Sequence, residues 1–503
     1  MRWILVSLGI VGMALVIIVT ANYGPALSSD SITYLATGKN LASGQGFHDF
    51  DGSVYHQWPP LLPILIALFH LLGLSPVETI RILYAITFGS MAYLTGHLLS
   101  RRLGNKWLAP VGASAVVLSP ALFRSAIYLL SDWPLAFLAA LFLFMATDND
   151  PARSMRWGLL WGIIAAAAFL TRYAGIAVVI TGLIWLMTTA GGSFWKRLWR
   201  SAVFGIVAVL PVAVWIIRNT QLVGSAAGQR AISQNDLPTN IAAAFGAVAD
   251  GFLPPSINQD LRVATFWAAM IILALAYLYA VRHDRRWALP PVVRLGVMFV
   301  LVYTGTVIVA ATATAIDPPD TRLMAPIYVP LILTLLFMLD SVIGLLSQFM
   351  RPRHLAGLLI LIFVPMIAIS AITAVPRAEA IYRDGTGQFS GRAWRESQLL
   401  EYIRTELPAG AVASNAPEPI YYYAAIGAHF CPQKHLYNSP AYRADNLADF
   451  KSSCRQSDCG YLVWFDAIAR PHLYSLDELK REFRLDELVR FPEGTIYQMH
   501  LMH

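Results

Sequence analysis

From Ile4 to about residue 376, long apolar runs alternate with short polar breaks. A membrane span needs roughly 20 mostly apolar residues. The pattern predicts spans near 4–20, 77–99, 107–122, 129–146, 156–171, 173–189, 201–217, 262–281, 291–311, 323–345 and 355–375. The run 60–74 differs: it has about 15 residues, with Pro60 and Pro63 near its start. It is expected to lie at the membrane surface or re-enter, because such a short, proline-bearing run does not cross. After about 376 the pattern changes to short strand-like runs (Ala411–Ser414, Tyr461–Phe465, Thr495–His500) alternating with helical ones (Trp394–Leu407, Leu476–Phe483). The expected fold class is a polytopic all-α membrane protein of about 11 transmembrane helices, with juxtamembrane helices in the first external loop and a small C-terminal α/β extracytoplasmic domain. The expected boundaries are 1–375 for the membrane domain, first external loop 21–76 included, and 376–503 for the α/β domain.

Composition agrees with this class, at 57% hydrophobic and 13% charged residues over 503 positions. The net charge of +7 would suggest nucleic acid in a soluble protein. Here the basic residues occupy short loops and form no single face, so no nucleic-acid partner is expected. Clusters at Arg101, Arg102 and Lys106, at Arg153 and Arg156, at Lys196, Arg197 and Arg200, at Arg282, Arg285 and Arg286, and at Arg351 and Arg353 separate alternate pairs of spans. The bias of Lys and Arg toward the cytoplasm puts all of them inside, provided 60–74 does not cross. The N-terminus is then cytoplasmic and the C-terminal domain outside, in a multi-pass protein of the plasma (inner) membrane. Arg2 before the run Ile4–Thr20, with no convincing small-residue cleavage site, predicts a retained signal-anchor helix. Cys431, Cys454 and Cys459 all fall in the last external segment, where a Cys454–Cys459 bridge and three thiols are both compatible with the spacing.

The stretch Ser28–Gly73 carries the most chemistry. Asp30 follows Ser28-Ser29 and opens an apolar i, i+3, i+4 set at Ile32, Leu35 and Ala36. It suits a helix N-cap, and equally a general base for an acceptor hydroxyl or a metal ligand, since a carboxylate at a low-dielectric boundary gains basicity. Asp132, in Ser131-Asp132-Trp133-Pro134, starts a later span on the external side. Capping and the helix dipole explain it structurally, whereas a carboxylate so near hydrocarbon also points to function. His48-Asp49-Phe50-Asp51-Gly52 reads as a turn ahead of a metal site. His56, just before Trp58-Pro59-Pro60, is the better placed histidine for a phosphate.

Arg81, Arg124, Arg172, Arg218 and Arg322 fall at the external membrane edge, against the charge bias. Phosphate oxygens of a lipid carrier would explain them through bidentate guanidinium bonds. Ion pairs with Asp132, Asp317 or Asp320 would explain them as well. Arg172 and Arg322, followed by Arg218, are the phosphate candidates. Metal dependence is undetermined by these residues.

Asp30-Ser31-x-x-Tyr34, Asp51-Gly52 followed by Trp58-Pro59-Pro60-Leu61-Leu62-Pro63, Ser131-Asp132, and Arg172 and Arg322 in their loops resemble the C-type integral membrane glycosyltransferases over roughly residues 1–345. These include the protein mannosyltransferases and the lipid A aminoarabinose transferase. The resemblance implies an inverting enzyme that moves a sugar from a polyprenyl-phosphate donor to a glycan, lipid or protein acceptor at the outer membrane face. It implies Asp30 as catalytic base or acceptor-orienting group; Asp132 is a second catalytic candidate because it should face the same external cavity as Asp30. Some members have Asp-Glu where this chain has Asp30-Ser31, so a divalent metal stays an open expectation. The rival from another class is a transporter or flippase of a lipid-linked or small polar substrate. No clear internal repeat and no charge in the middle of a span speak for it.

Overall fold

A computed structural model describes the chain except residues 149–154, 190, 229, 254–256, 285–287, 351–353, 355–371, 438, 458 and 503, and the side chains of 146–148, 155, 440–442 and 457. The basic residues Arg153, Arg285, Arg286, Arg351 and Arg353 lie outside the described residues. So does nearly all of the expected span 355–375.

In chain order the helices are α1 (Arg2–Val19), α2 (Ser29–Ala42), α3 (Leu61–Leu71), α4 (Pro76–Arg102), α5 (Leu108–Leu118), α6 (Pro120–Ile127) and α7 (Asp132–Asp148). There follow α8 (Met155–Thr171), α9 (Ile176–Thr189), α10 (Phe194–Val223), α11 (Leu237–Asp250), α12 (Gln259–His283), α13 (Pro291–Ala313) and α14 (Ala325–Leu346). Among the described residues, α1, α4, α10, α12, α13 and α14 are long and apolar enough to cross a bilayer, making six. Bent at 50°, the pair α5–α6 makes a seventh if counted as one span. Exposed apolar side chains such as Leu210, Val214 and Ile217 on α10, or Ile271, Ile272 and Leu275 on α12, suit a lipid-facing surface. The protein is an integral membrane protein.

The expected eleven spans are not reproduced as a count. The run 107–122 breaks because Ser119 turns extended and caps α6 while Pro120 takes its first position, where a missing N–H does no harm. Helices α7 and α8 have 17 residues each and α9 has 14, shorter than the other crossing helices. The run 60–74 forms an 11-residue helix, α3, as its length and prolines suggest. With α2 it supplies the two helices expected in the first loop. Helix α11, inside the loop 218–261, had no clear sequence signal.

Residues 372–384 are helical and lead into the α/β region. Its five-stranded sheet has the order β2 (His429–Phe430), β1 (Val412–Ser414), β5 (Tyr461–Phe465), β7 (Gly494–Leu501), β6 (Phe483–Phe491), and β3 (His435–Leu436) pairs antiparallel with β4 (Ser439–Arg443) apart from it. Strand β1 pairs parallel with β2 and β5. Strand β7 pairs antiparallel with β5 and with β6. The strands β1, β5 and β7 coincide with the predicted runs, while the predicted helix 394–407 splits into Arg392–Arg395 and Gln398–Thr405. Leu399, Ile403, Val463, Phe465 and Ile496 fill one face of the sheet. Cys431, Cys454 and Cys459 are buried against the other, with Leu462, Phe483 and Met499.

Helices α2 and α3 pack tightly because residue 38 is glycine. A Cβ there would sit 2.3 Å from Ile66 Cγ2 and 3.0 Å from the Pro63 carbonyl oxygen. Gly38→Ala is expected to destabilise the fold by about 1–3 kcal/mol through overpacking. Measured as a thermal midpoint in detergent, the loss should shrink when Ile66→Ala is added.

Candidate active site

The segment Ala26–Ser28 leads from α1 into α2, with Ala26 in an isolated β-bridge to Tyr128. Ala26 donates to the Ile127 carbonyl (2.8 Å) and accepts from Leu129 N–H (3.0 Å). On its other edge, Leu27 accepts from Phe389 N–H (2.9 Å) and donates to Ser390 Oγ (3.3 Å). The approach to Asp30 is therefore bonded to the approach to Asp132 on one side and to the C-terminal region on the other.

Ser28 is the N-cap of α2, forming a reciprocal box with Ser31. Asp30 sits inside the first turn and is not the capping residue, so the N-cap reading of Asp30 is corrected. Among the described residues its carboxylate accepts no hydrogen bond and makes no ion pair. Burial raises its proton affinity above the ordinary carboxylate range; nearby Arg322 and Arg172 pull it back, and Asp132 and Asp317 push it up.

Asp132 begins α7 and is only 2% exposed. One of its oxygens pairs with Arg172 Nη1 at 2.9 Å. The other, Oδ2, is buried without a hydrogen-bond partner. Tyr34, 1% exposed on α2, meets Ser131 Oγ at 3.3 Å, and Tyr84 donates to the Leu130 carbonyl (2.8 Å). These bonds fix the turn ahead of Asp132 against α2 and α4.

Arg172 occupies the break between α8 and a 3-10 turn at Tyr173–Gly175, in extended backbone. The turn closes because Gly175 lies against the preceding helix, where a Cβ would be 2.2 Å from the Ala168 carbonyl oxygen. Arg322 comes from the loop before α14. It faces Asp317 at 3.4 Å and Asp320 at 4.0 Å. Burial opposes its charge, but Asp132, Asp320, Asp30 and Asp317 together hold its proton more firmly than usual. Asp132 and Arg322 line a narrow crevice with Arg124, Ser125, Tyr128 and Leu130. Arg230, exposed in the loop after α10, is another guanidinium near the site, its charge opposed by Arg172 and favoured by Asp30. It lies in a loop without periodicity, and no sequence signal singled it out.

The structure thus brings Asp30, Asp132, Arg172 and Arg322 together, and adds Arg230. It gives Arg218 and His56 other work. Arg218 donates to the Tyr55 carbonyl (3.0 Å) and to Asn219 Oδ1 (2.8 Å), over the rings of Trp215 and Phe47. Asn219 donates to the His56 carbonyl (3.1 Å), and His56 Nδ1 lies 2.6 Å from the Val54 carbonyl. Both residues tether the first loop to α10. Arg81 pairs with Glu78 at 2.9 Å and bonds the end of α1.

The 48–52 run is the expected turn, with Gly52 at φ 83° and His48 bridged to Val54. Among the described residues no three His, Cys, Asp or Glu side chains converge as a metal cluster. Asp49 nevertheless has a stability role. It accepts from Thr33 Oγ1 (2.9 Å) and Phe50 N–H (2.6 Å), and burial pushes its pKa from 3.8 up to about 7. A folded-state pKa above the unfolded value makes the protein lose stability as pH rises from about 4 to about 7. The thermal midpoint should decline over that window, and Asp49→Asn should flatten the decline.

Residues 57–217 match the family described as dolichyl-phosphate-mannose-protein mannosyltransferase. No curated protein matches the chain by sequence. Among solved structures, the fold is similar to ArnT from Cupriavidus metallidurans in the apo state, at TM-score 0.62 and 13% identity, over 98% of this chain and 97% of that one. The form of ArnT from Cupriavidus metallidurans bound to undecaprenyl phosphate matches equally, at TM-score 0.62 and 13% identity over 98% and 97% of the two chains. Arabinofuranosyltransferase AftD from Mycobacteria matches at TM-score 0.56 and 15% identity, over 100% of this chain but 40% of that one. The chain shares its overall fold with these solved structures, and the likeness agrees with the resemblance its motifs carry.

Proposed function

We propose that the protein is an inverting glycosyltransferase that takes a sugar from a polyprenyl-phosphate carrier at the outer membrane face. The observation that carries this reading is the Asp30 carboxylate, half-buried, without a hydrogen-bond or ion-pair partner among the described residues, and under the influence of Arg322 and Arg172. The matched mannosyltransferase family and the ArnT and AftD folds support the class. An undecaprenyl phosphate in one ArnT structure supports the donor.

In this mechanism an acceptor hydroxyl approaches Asp30 and gives up its proton as its oxygen attacks the anomeric carbon. The bond from that carbon to the phosphate oxygen breaks on the opposite face, and the electron pair leaves with the phosphate. Raised basicity suits Asp30 to the proton. Arg172, Arg322 and Arg230 stabilise the charge that develops on the leaving phosphate. Asp132, already ion-paired, holds Arg172 in place. Asp132 is committed to Arg172, and among the described residues the site acids form no cluster fitted to a divalent metal, so no step is routed through one. The donor's tail stays in lipid while its phosphate sits at the interface, so the loops that carry the site belong at the membrane surface. Residues 1–375 form the transferase domain, with 376–503 docked on its extracytoplasmic face.

Two measurements check this. Asp30→Asn should lower kcat for transfer from a purified polyprenyl-phosphate sugar by about 10²–10⁴; unchanged transfer, or solute uptake into vesicles without transfer, contradicts it. Activity should also fall as pH drops through the pKa of Asp30. Because Arg322 is the strongest positive influence on that acid, Arg322→Gln should move this acid limb to higher pH. A limb that stays put or moves down contradicts the assignment.

A further inference from the structure

Glu418 is a charged residue buried without a place in the chemistry above. It lies in a short helical turn, Pro417–Pro419, just after β1, and is 0% exposed. Its Oε1 accepts from Ser29 Oγ and from Arg470 Nη2, the latter at 2.6 Å. Its Oε2 is buried with no hydrogen-bond partner. Ser29 is the first residue of α2 and the immediate neighbour of Asp30.

The surroundings make this contact a joint between the two parts of the chain. Arg470 lies over the ring of Phe430, with 4.9 Å to its centroid. Phe430 and Tyr421 in turn pack on Phe50 of the first loop, at 6.2 Å and 5.8 Å between centroids. Asp49, next to Phe50, holds Thr33 one turn further along α2. The bonds from Leu27 to Phe389 and Ser390 complete the grip on the other side of the turn. A buried carboxylate is costly unless it is paired and hydrogen-bonded. Here the cost is met by one guanidinium and one hydroxyl, and the hydroxyl belongs to the helix that carries Asp30.

We infer that Glu418, held by Arg470, is a positioning residue that sets the first turn of α2 through Ser29 and thereby aims Asp30 into the site. The C-terminal region is then a working part of the catalytic apparatus, in addition to any role in capping or partner binding. Its contact acts on orientation: a misaimed carboxylate slows proton transfer while donor binding by the arginines is untouched. This rests on Asp30 being the base.

The test compares kcat and KM for a purified polyprenyl-phosphate sugar in wild type, Glu418→Ala, Glu418→Gln, Ser29→Ala, Glu418→Ala/Ser29→Ala and Asp30→Asn. Glu418→Ala should lose at least tenfold in kcat with donor KM unchanged. Glu418→Gln keeps an acceptor oxygen for Ser29 and should recover most of that loss. The double variant should be no worse than Glu418→Ala alone. If kcat of Glu418→Ala stays within twofold of wild type while Asp30→Asn is inactive, the positioning role is overturned and the base assignment stands. Independent, additive losses in the double variant also overturn it. Full activity in Asp30→Asn overturns the base assignment itself. Should Glu418→Ala fail to fold, Ser29→Ala gives the same reading: a kcat loss at constant KM supports the role, and none removes it.

Discussion

The site depends on one short linker, Ala26–Ser28, and on its hydrogen bonds to both sides. A segment of three residues cannot hold a helix in place by its own packing. Here Ile127 and Leu129 bind one edge and Phe389 and Ser390 bind the other, so its exit angle into α2 is fixed from two directions. Each buried backbone group that would otherwise be orphaned finds a partner across the chain. Because the segment bonded to it, Ile127–Leu129, runs on into Asp132, the same bonds set the relation of the two acids. Tyr34 and Ser131 add a side-chain contact across that junction.

Electrostatics then distinguishes two carboxylates that look alike in the sequence. Asp132 and Arg172 neutralise each other in a buried pair, whose strength comes from exclusion of water. Removing either partner would leave an uncompensated buried charge. Asp30 feels the same arginines at longer range, enough to temper its desolvation and too little to satisfy its oxygens. A carboxylate in that state is a proton acceptor with its partner missing. An acceptor hydroxyl would supply the partner.

Much of this was legible from local pattern. Prolines at 60 and 63 and a run too short to cross gave α3, and Ser28-Ser29-Asp30 before an apolar set gave α2. Arg172 and Arg322 stood out because guanidinium groups at an external edge run against the charge bias. What stayed hidden lay in long-range contacts. Ser29 and Glu418 are 389 positions apart, and nothing near either residue announces the bond. Arg218 is a phosphate candidate by position, and its contacts with the Phe47 ring and with the Tyr55 carbonyl are long-range features that no local pattern announces. The span count is the part left unconfirmed, because α7, α8 and α9 are short, the run 107–122 bends at Ser119-Pro120, and nearly all of 355–375 lies outside the described residues.

The central claim is that acids and guanidiniums gather around one lipid phosphate at the end of α2. An experimental structure of the protein with bound polyprenyl phosphate tests it most directly. The account predicts phosphate oxygens about 3 Å from guanidinium nitrogens of Arg172 or Arg322, with the Asp30 carboxylate facing the open side of the same pocket. A phosphate held instead by Arg218 and His56, with Asp30 turned away from it, would contradict the account.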